Sequence, residues 1–445
     1  MNVDARLNSL EPRFSWFYIR LLLLTGVSWA IQAAELVLLD FSRVLVANDI
    51  GMQKFEIEIL GASIFLGSMA GGPIFGHLAD KFGRRTALLV ALVFSLGGLA
   101  VSAQAKVMYV LIIGRVITGI GHGGQLLSTV VLVQELAPRP MHGRVVSLLD
   151  AFTGIGGLIG LVLAYAVAPW LEWRTTYLLV SGLVLYTVVL RFIVPESPRW
   201  LDSVGRTEEA SAIVENIEHL HFEKKEVDFT SFLESLSSPS LKTLRSKRQI
   251  PTCVLWTLWT VMTLSAYVLG TYIPTLISLS GYNMFANWIT IAVLNVAQVV
   301  GSFTAAAVLD TYGLHRSFAV FAMLAAAASV VLGHMTWSRE VVITFSFLVN
   351  ALLSACWSCV LTYTPGHFTT ACRGRGMGYS VGISRLAAVG GCYLYPHMFN
   401  VWILSVSTLC WIFGSVLAVV AAGIVPHFSY QPLKEEDDAI RVHEH

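Results

Sequence analysis

The sequence predicts an all-α membrane protein of twelve transmembrane helices in two pseudo-symmetric six-helix halves. Three observations predict it. Of 445 residues, 55% are hydrophobic and only 13% are charged, against roughly 25% charged in an average soluble domain. The apolar residues come in blocks long enough to cross a hydrocarbon core, which takes about 20 residues at ~1.5 Å each. One short motif is also written twice, as Gly76-His-Leu-Ala-Asp80-Lys-Phe-Gly83-Arg84-Arg85 and as Ala306-Ala-Val-Leu-Asp310-Thr-Tyr-Gly313-Leu-His315-Arg316. Asp80 and Asp310 stand 230 positions apart, as do Gly83 and Gly313, so the chain reads as an internal duplication.

The first six blocks fall at 18–46, 55–79, 86–104, 107–134, 145–169 and 173–194. Glycine is dense in the second (Gly67, Gly71, Gly72, Gly76) and the fifth (Gly154, Gly156, Gly157, Gly160). Small residues at this spacing let helix backbones approach closely where lipid gives no hydrophobic drive to associate. The second six fall at 250–279, 285–309, 317–336, 340–364, 376–397 and 400–425. The halves are thus 18–194 and 250–425, joined by a polar linker, 195–249, whose mixed charge predicts short surface helices. Segment 1–17 precedes them, and the acidic tail 426–445 has too little apolar content to fold.

Lys and Arg distribute unequally between the two faces. Of 29, 22 fall on the face that carries both termini and the linker, and four (Lys54, Lys106, Arg174, Arg339) on the other. The positive-inside rule makes the first face cytoplasmic. No removable signal peptide, disulfide, metal site, cofactor or nucleic-acid partner is expected. The expected partners are a small-molecule substrate, protons and the lipid bilayer, with the chain a monomer in the plasma membrane rather than an internal vesicle membrane.

The loop Gly76 to Arg85 resembles the signature between helices two and three of the major facilitator superfamily, and Asp310 to Arg316 its degenerate partner between helices eight and nine. Arg115-Val-Ile-Thr-Gly119-Ile-Gly121 resembles that superfamily's helix-four motif. Pro195-Glu196-Ser197-Pro198-Arg199-Trp200-Leu201 is similar to the close of helix six in sugar porters and in organic-ion and synaptic-vesicle-type transporters. Tyr363 to Gly378 most resembles the helix-ten exit of the synaptic-vesicle-type and organic-ion branch, among which fungal and bacterial members share the short loop after helix one. The resemblance implies the superfamily fold and secondary transport by alternating access. It also implies Glu at position 366, where this chain has Gly366.

Charges at the inner helix ends can form a latch that pairs when the inner face closes: Asp80, Arg84, Glu135, Arg144, Glu196 and Arg199 from the first half, with Asp310, Arg316 and Arg373 from the second. As exposed pairs each contributes about 0.2–1 kcal/mol. With Gly366, the second latch is expected to be incomplete. Inside the membrane an ionised group costs roughly 2.5–3.5 kcal/mol on the lenient scale, so each is a functional candidate. Asp40 and Arg43 lie on one face near the outer end of the first span and can pair. Glu35 and Arg115 share a depth about 12 Å below the outer end. Glu35 is the expected coupling acid and Arg115 its modulator, a role the resemblance also gives the helix-four Arg; a permanent ion pair is the structural alternative.

Arg385 lies about 14 Å up its span, and spans seven to twelve hold no acid except Asp310 and Glu340 at their ends. A buried guanidinium without a carboxylate partner fits a substrate anion. In the organic-ion transporters that the chain resembles, the residue twelve after the helix-ten exit Arg tends to be Arg in anion carriers, and Arg373 to Arg385 is that spacing. Gln125, Asn295, Gln298, Asn350 and Tyr267 are expected to complete the substrate cavity, with Trp256 and Trp259 as further candidates. The leading expectation is a proton-coupled carrier of a small organic anion; a non-transporting sensor with the same fold is the alternative, favoured by Gly366. Spans five and seven lack the Gln residues with which sugar porters bond hydroxyls. No nucleotide-binding loop or catalytic cluster occurs, so neither an ATP-driven pump nor an enzyme is expected.

Overall fold

The computed structural model describes residues 3–10, 14–222, 252–279, 287–334, 339–400, 415–416 and 419, and among these every regular element is helical. Most of the predicted span 400–425, the tail 426–445 and residues 223–249 of the linker lie outside the described residues.

A short helix α1 (Val3–Asn8) precedes the first long helix, α2 (Trp16–Phe41), which hands over at Ser42 to α3 (Arg43–Ile50). Next come α4 (Lys54–Phe82), α5 (Arg84–Ala103) and α6 (Met108–Leu136). The fifth span is α7 (His142–Val162), continued through a π-turn at Leu163–Val167 into α8 (Ala168–Leu171). The sixth is α9 (Trp173–Ser181) and α10 (Tyr186–Ile193), joined by a 3₁₀ turn. The linker contributes α11 (Pro198–Ser203) and α12 (Thr207–Phe222), and the second half α13 (Thr252–Leu279), α14 (Asn287–Tyr312), α15 (Leu314–His334), α16 (Arg339–Gly366) and α17 (Arg373–Asn400). Among the described residues nine helical stretches are long and apolar enough to cross a membrane, and α13 and α17 are 28-residue helices at two further predicted spans.

Local chemistry sets several boundaries. Gln53 and Glu56 form a capping box at the start of α4, Gln53 N–H donating to Glu56 Oε2 at 2.7 Å. Pro198 opens α11, where its missing N–H costs nothing, and Ser197 Oγ accepts the Trp200 N–H at 3.1 Å. Gly83 and Gly313, the repeated glycines, have φ of 101° and 82°, a conformation that lets each chain turn sharply between two long helices.

Burial ranks the helices. The apolar window of α6 is 83% buried, whereas that of the sixth span is 22% buried, so α6 is an inner helix and α9–α10 present Leu185, Val188 and Phe192 outward. The halves meet along two seams, α4 against α17 and α7 against α14. Glycine sets their closeness: a Cβ on Gly72 would lie 2.5 Å from the Gly378 carbonyl oxygen. The N-terminal segment is docked. Val3 and Leu7 are buried, Asp4 pairs with Arg139 and Arg199 at 2.6 and 2.9 Å, and Arg6 pairs with Glu218 of α12 at 2.6 Å.

Gly72→Val should overpack the α4–α17 seam at about 1–3 kcal/mol and lower the melting temperature of the solubilised protein. Gly97→Ala, whose added methyl meets nothing within 4 Å, should leave it unchanged or slightly raised.

Candidate functional site

The duplicated motif ends two helices, α4 and α14, and each copy reaches across to the other half. Asp80, near the end of α4, accepts the backbone N–H groups of Gly374 and Arg375 at 2.9 Å each, at the start of α17. Asp310, near the end of α14, accepts the N–H of Arg144 at 3.1 Å, at the start of α7. In both cases the Arg side chain follows its own N–H: Arg375 Nε lies 3.2 Å from Asp80 and Arg144 Nε 3.7 Å from Asp310. The first turn of a helix has unbonded N–H groups and a partial positive charge, so a carboxylate from the facing half satisfies both. The glycine before each Arg leaves room, since a Cβ on Gly374 would lie 2.7 Å from Asp80 Oδ1.

Glu135, at the basic end of α6, is fully buried. It pairs with Arg84 Nε at 3.0 Å and with Arg373 Nη1 of the second half at 2.7 Å, and it accepts Ser197 Oγ–H at 2.5 Å. Arg84, also fully buried, further donates to the carbonyls of Ala79 and Thr370 at 3.0 and 2.6 Å. Glu196 caps α5, accepting the N–H groups of Arg84 and Arg85 at 2.8 and 3.0 Å. Burial pushes its carboxyl above the ordinary value, opposed by those N–H groups. Arg199 bonds Asp4, Asn8 and the Ala137 carbonyl.

Two expectations about the latch change. Its central pair is buried, not exposed, because α6 and α11 close over it, so breaking it costs more than a surface pair. Arg316 is exposed and forms no ion pair among the described residues. At the motif's offset of 230 positions Arg316 stands opposite Thr86 and Leu314 opposite Arg84, and Gly366, which ends α16 as Glu135 nearly ends α6, offers no carboxylate. Arg373 reaches instead to Glu135 in the other half.

In the interior, Glu35 is fully buried and takes a different partner from the expected Arg115. Its Oε2 accepts from Ser95 Oγ and lies 2.6 Å from His122 Nε2, while Oε1 has no hydrogen-bond partner. Arg115 Nη2 donates to the Leu39 carbonyl at 2.7 Å. His122, two turns beyond Arg115 on α6, is the residue level with Glu35, and Arg115 lies nearer Leu39. Gln32 donates to the His122 carbonyl at 3.0 Å and Gln125 to the Ser28 carbonyl. Asp40 is half-buried near the far end of α2; the side chains of Arg43 and Tyr267 lie outside the described residues.

Arg385 on α17 has its Cζ 6.0 Å from the Phe65 ring centroid, and its buried Nε has no hydrogen-bond partner. Among the described residues no carboxylate pairs with it. Asn295 donates to the Ile291 carbonyl at 2.8 Å and packs on Gly157; Gln298 is half-buried and Asn350 buried. None of these makes a recorded contact with Arg385 or with Gln125. Trp259 belongs to the packing of the second half, its Nε1–H on Thr364 Oγ1 at 2.8 Å and its ring against Trp357. Sequence reasoning also passed over Asp150, a carboxylate inside the block 145–169, whose signal was its isolation in an apolar run. His122 carried a weaker one, its position on a helix already marked by Arg115.

The sequence model of the Major Facilitator Superfamily matches residues 21–392. The chain belongs to that superfamily. The niacin transporter NiaP of Acinetobacter baylyi is 27% identical over 400 residues, 89% of this chain and 90% of that protein. A synaptic vesicle 2-related protein of Xenopus laevis is 24% identical over 93% of this chain and 78% of its own length. The benzoate transport protein of Acinetobacter baylyi is 21% identical over 97% and 94%. Among solved structures, the proton:xylose symporter XylE of E. coli superposes with a TM-score of 0.73 at 19% identity, covering 93% of this chain and 96% of that one. The protein is therefore a membrane transporter of the superfamily fold and not an enzyme, and its two cross-half caps are the form that the superfamily's paired loops take here.

Arg84→Ala should leave Glu135 buried with half its charge compensation and cost about 3–5 kcal/mol, read as a large fall in melting temperature. Arg316→Ala should change stability by less than about 0.5 kcal/mol.

Proposed function

We propose that this transporter carries a small aromatic monocarboxylate together with a proton, by rocking of its halves, 18–194 and 250–425, about a central site. The observation that carries the reading is Arg385, a guanidinium inside the bundle with an aromatic ring beside it and no acidic partner among the described residues. A carboxylate would give it a bidentate, charge-assisted pair, and an aromatic substrate would find Phe65 next to it. The two Acinetobacter relatives are named for niacin and benzoate, both aromatic monocarboxylic acids. Gln125, Asn295, Gln298, Asn350 and Tyr267 are the further candidates for the cavity.

The coupling proton is assigned to Glu35 with His122. A carboxylate and an imidazole at 2.6 Å can share one proton, and relative movement of α2 and α6 alters how strongly it is held. Arg115, on the same helix as His122, and Asp40 are the proposed modulators. The charge distribution over the loops supports cytoplasmic termini, in what we take to be the plasma membrane, and the cross-half caps then close the cytoplasmic end. Gly366 favours a second reading, a sensor that retains the fold.

The experiment is uptake of radiolabelled nicotinate and benzoate into proteoliposomes with an imposed pH gradient, beside a panel of organic cations. Uptake of at least one of the acids, driven by an inward proton gradient, is expected. Arg385→Ala should abolish it and Glu35→Gln should uncouple it from pH. Cation uptake, or acid uptake unaffected by Arg385→Ala, would overturn the substrate assignment. Absence of flux for every solute would favour the sensor.

A further inference from the structure

Asp150 plays no part in the site just described, yet it lies where the halves meet. It is 4% exposed on α7. Its Oδ2 is 2.9 Å from Ser358 Oγ of α16 and 3.1 Å from Ser302 Oγ of α14, both in the second half. Its Oδ1 is 3.4 Å from Thr153 Oγ1, which accepts the Trp29 Nε1–H at 2.6 Å. Ser302 Oγ lies 3.0 Å from Ser354 Oγ, and Ser354 Oγ donates to the Gln298 carbonyl at 3.0 Å. Every recorded partner of Asp150 is a hydroxyl.

Counting protons along this chain decides its state. Three links run from Asp150 through Ser302 and Ser354 to the Gln298 carbonyl, and each needs one hydrogen. The carbonyl can only accept, so Ser354 spends its hydrogen there, and the Ser302–Ser354 link must use the hydrogen of Ser302. Nothing then remains for the Asp150–Ser302 link unless the carboxyl supplies it. An ionised Asp150 leaves one link without a hydrogen; a neutral acid completes all three, while Ser358 and Thr153 donate to its oxygens. A fully satisfied buried network is favourable, whereas a partly satisfied one, carrying a charge with no counter-ion, is costly.

The titratable groups on the elements packed around α7 are engaged elsewhere. On α2 and α6, Glu35 pairs with His122, Arg115 bonds the Leu39 carbonyl and Glu135 holds Arg84 and Arg373. Asp310 of α14 and Arg144 of α7 meet at the helix start, where His142 bonds the Ala137 carbonyl. On α16, Cys356 and Cys359 are buried thiols. None of these contacts Asp150.

We propose that Asp150 is a proton-binding site built into the seam between the halves, occupied while the basic end is closed and discharged to water when α7 parts from α14 and α16. Glu35 differs in kind, because its partners Ser95 and His122 belong to its own half. Two of the three partners of Asp150 come from the other half, so its proton reports the separation itself. The role in coupling rests on the proposed proton-driven transport; the protonation of Asp150 does not.

The two parts are tested separately on the full-length protein in lipid. Infrared spectra at neutral pH of protein labelled with [4-¹³C]aspartate should contain a carboxylic-acid carbonyl band that shifts with the label and disappears in Asp150→Asn. Asparagine can donate to Ser302 and accept from Ser358, so this variant keeps the network, and the labelled wild type needs no variant at all. Absence of a protonated aspartate band, or a band undiminished in Asp150→Asn, would overturn the site. With nicotinate as the probe, Asp150→Asn should carry one proton fewer per substrate than wild type, and an unchanged ratio would overturn the coupling role. If wild type moves neither nicotinate nor benzoate, the transport reading fails while the infrared result still decides the site.

Discussion

Two carboxylates hold the basic end of this molecule together, each seated on the first turn of a helix that belongs to the opposite half. Asp80 closes α17 and Asp310 closes α7. The arrangement is reciprocal because the chain is duplicated: a carboxylate near the end of the second helix of one half meets a Gly-Arg pair at the start of the fifth helix of the other. A helix start offers N–H groups that no intrahelical carbonyl can satisfy, and the carboxylates that serve them here come from across the seam. The contacts therefore exist only while the halves are together at this end, and they are lost as a set when it opens.

The other features are arranged around that closure. Glu135 and Glu196 fix the loops that aim Asp80, one by gathering Arg84 and Arg373, the other by capping α5. The docked N-terminal helix ties Arg139 and Arg199 to the same end through Asp4. Glycines let α4 and α17 approach to backbone contact. Deeper in, the charged groups are sparse and differently placed: Glu35 inside the first half, Arg385 on a second-half helix facing Phe65 of the first, and Asp150 in the seam.

Much of this was legible in the chain. Helix positions followed from apolar block length, the sequence-predicted 107–134 becoming Met108–Leu136, and the duplicated motif located the closure because its two Asp residues recur at one offset. Partner choice was less legible. Arg115 and His122 lie on one face of α6, seven residues apart, and it is depth that separates them: Arg115 meets the Leu39 carbonyl while His122, two turns along, meets Glu35. Arg316 was drawn into the latch by its place in the motif copy, yet at the motif's offset it stands opposite Thr86, and Leu314 holds the place of Arg84. Asp150 was invisible to a search for paired charges because its partners are serines and a threonine. Cross-half hydroxyl networks depend on three-dimensional register that no periodicity encodes.

The reciprocal caps can be weighed by pulsed electron spin resonance on the protein in lipid nanodiscs, with labels at Lys81 and Tyr312, exposed positions beside Asp80 and Asp310 at the basic end. Removing a helix cap costs roughly 1 kcal/mol, so losing two should shift the closed-to-open ratio by more than about tenfold, which 1.4 kcal/mol already makes. Wild type should give one short, narrow distance distribution, and the Asp80→Ala, Asp310→Ala double variant a dominant longer one. A double variant with the distances of wild type would contradict the view that these two carboxylates hold the halves closed.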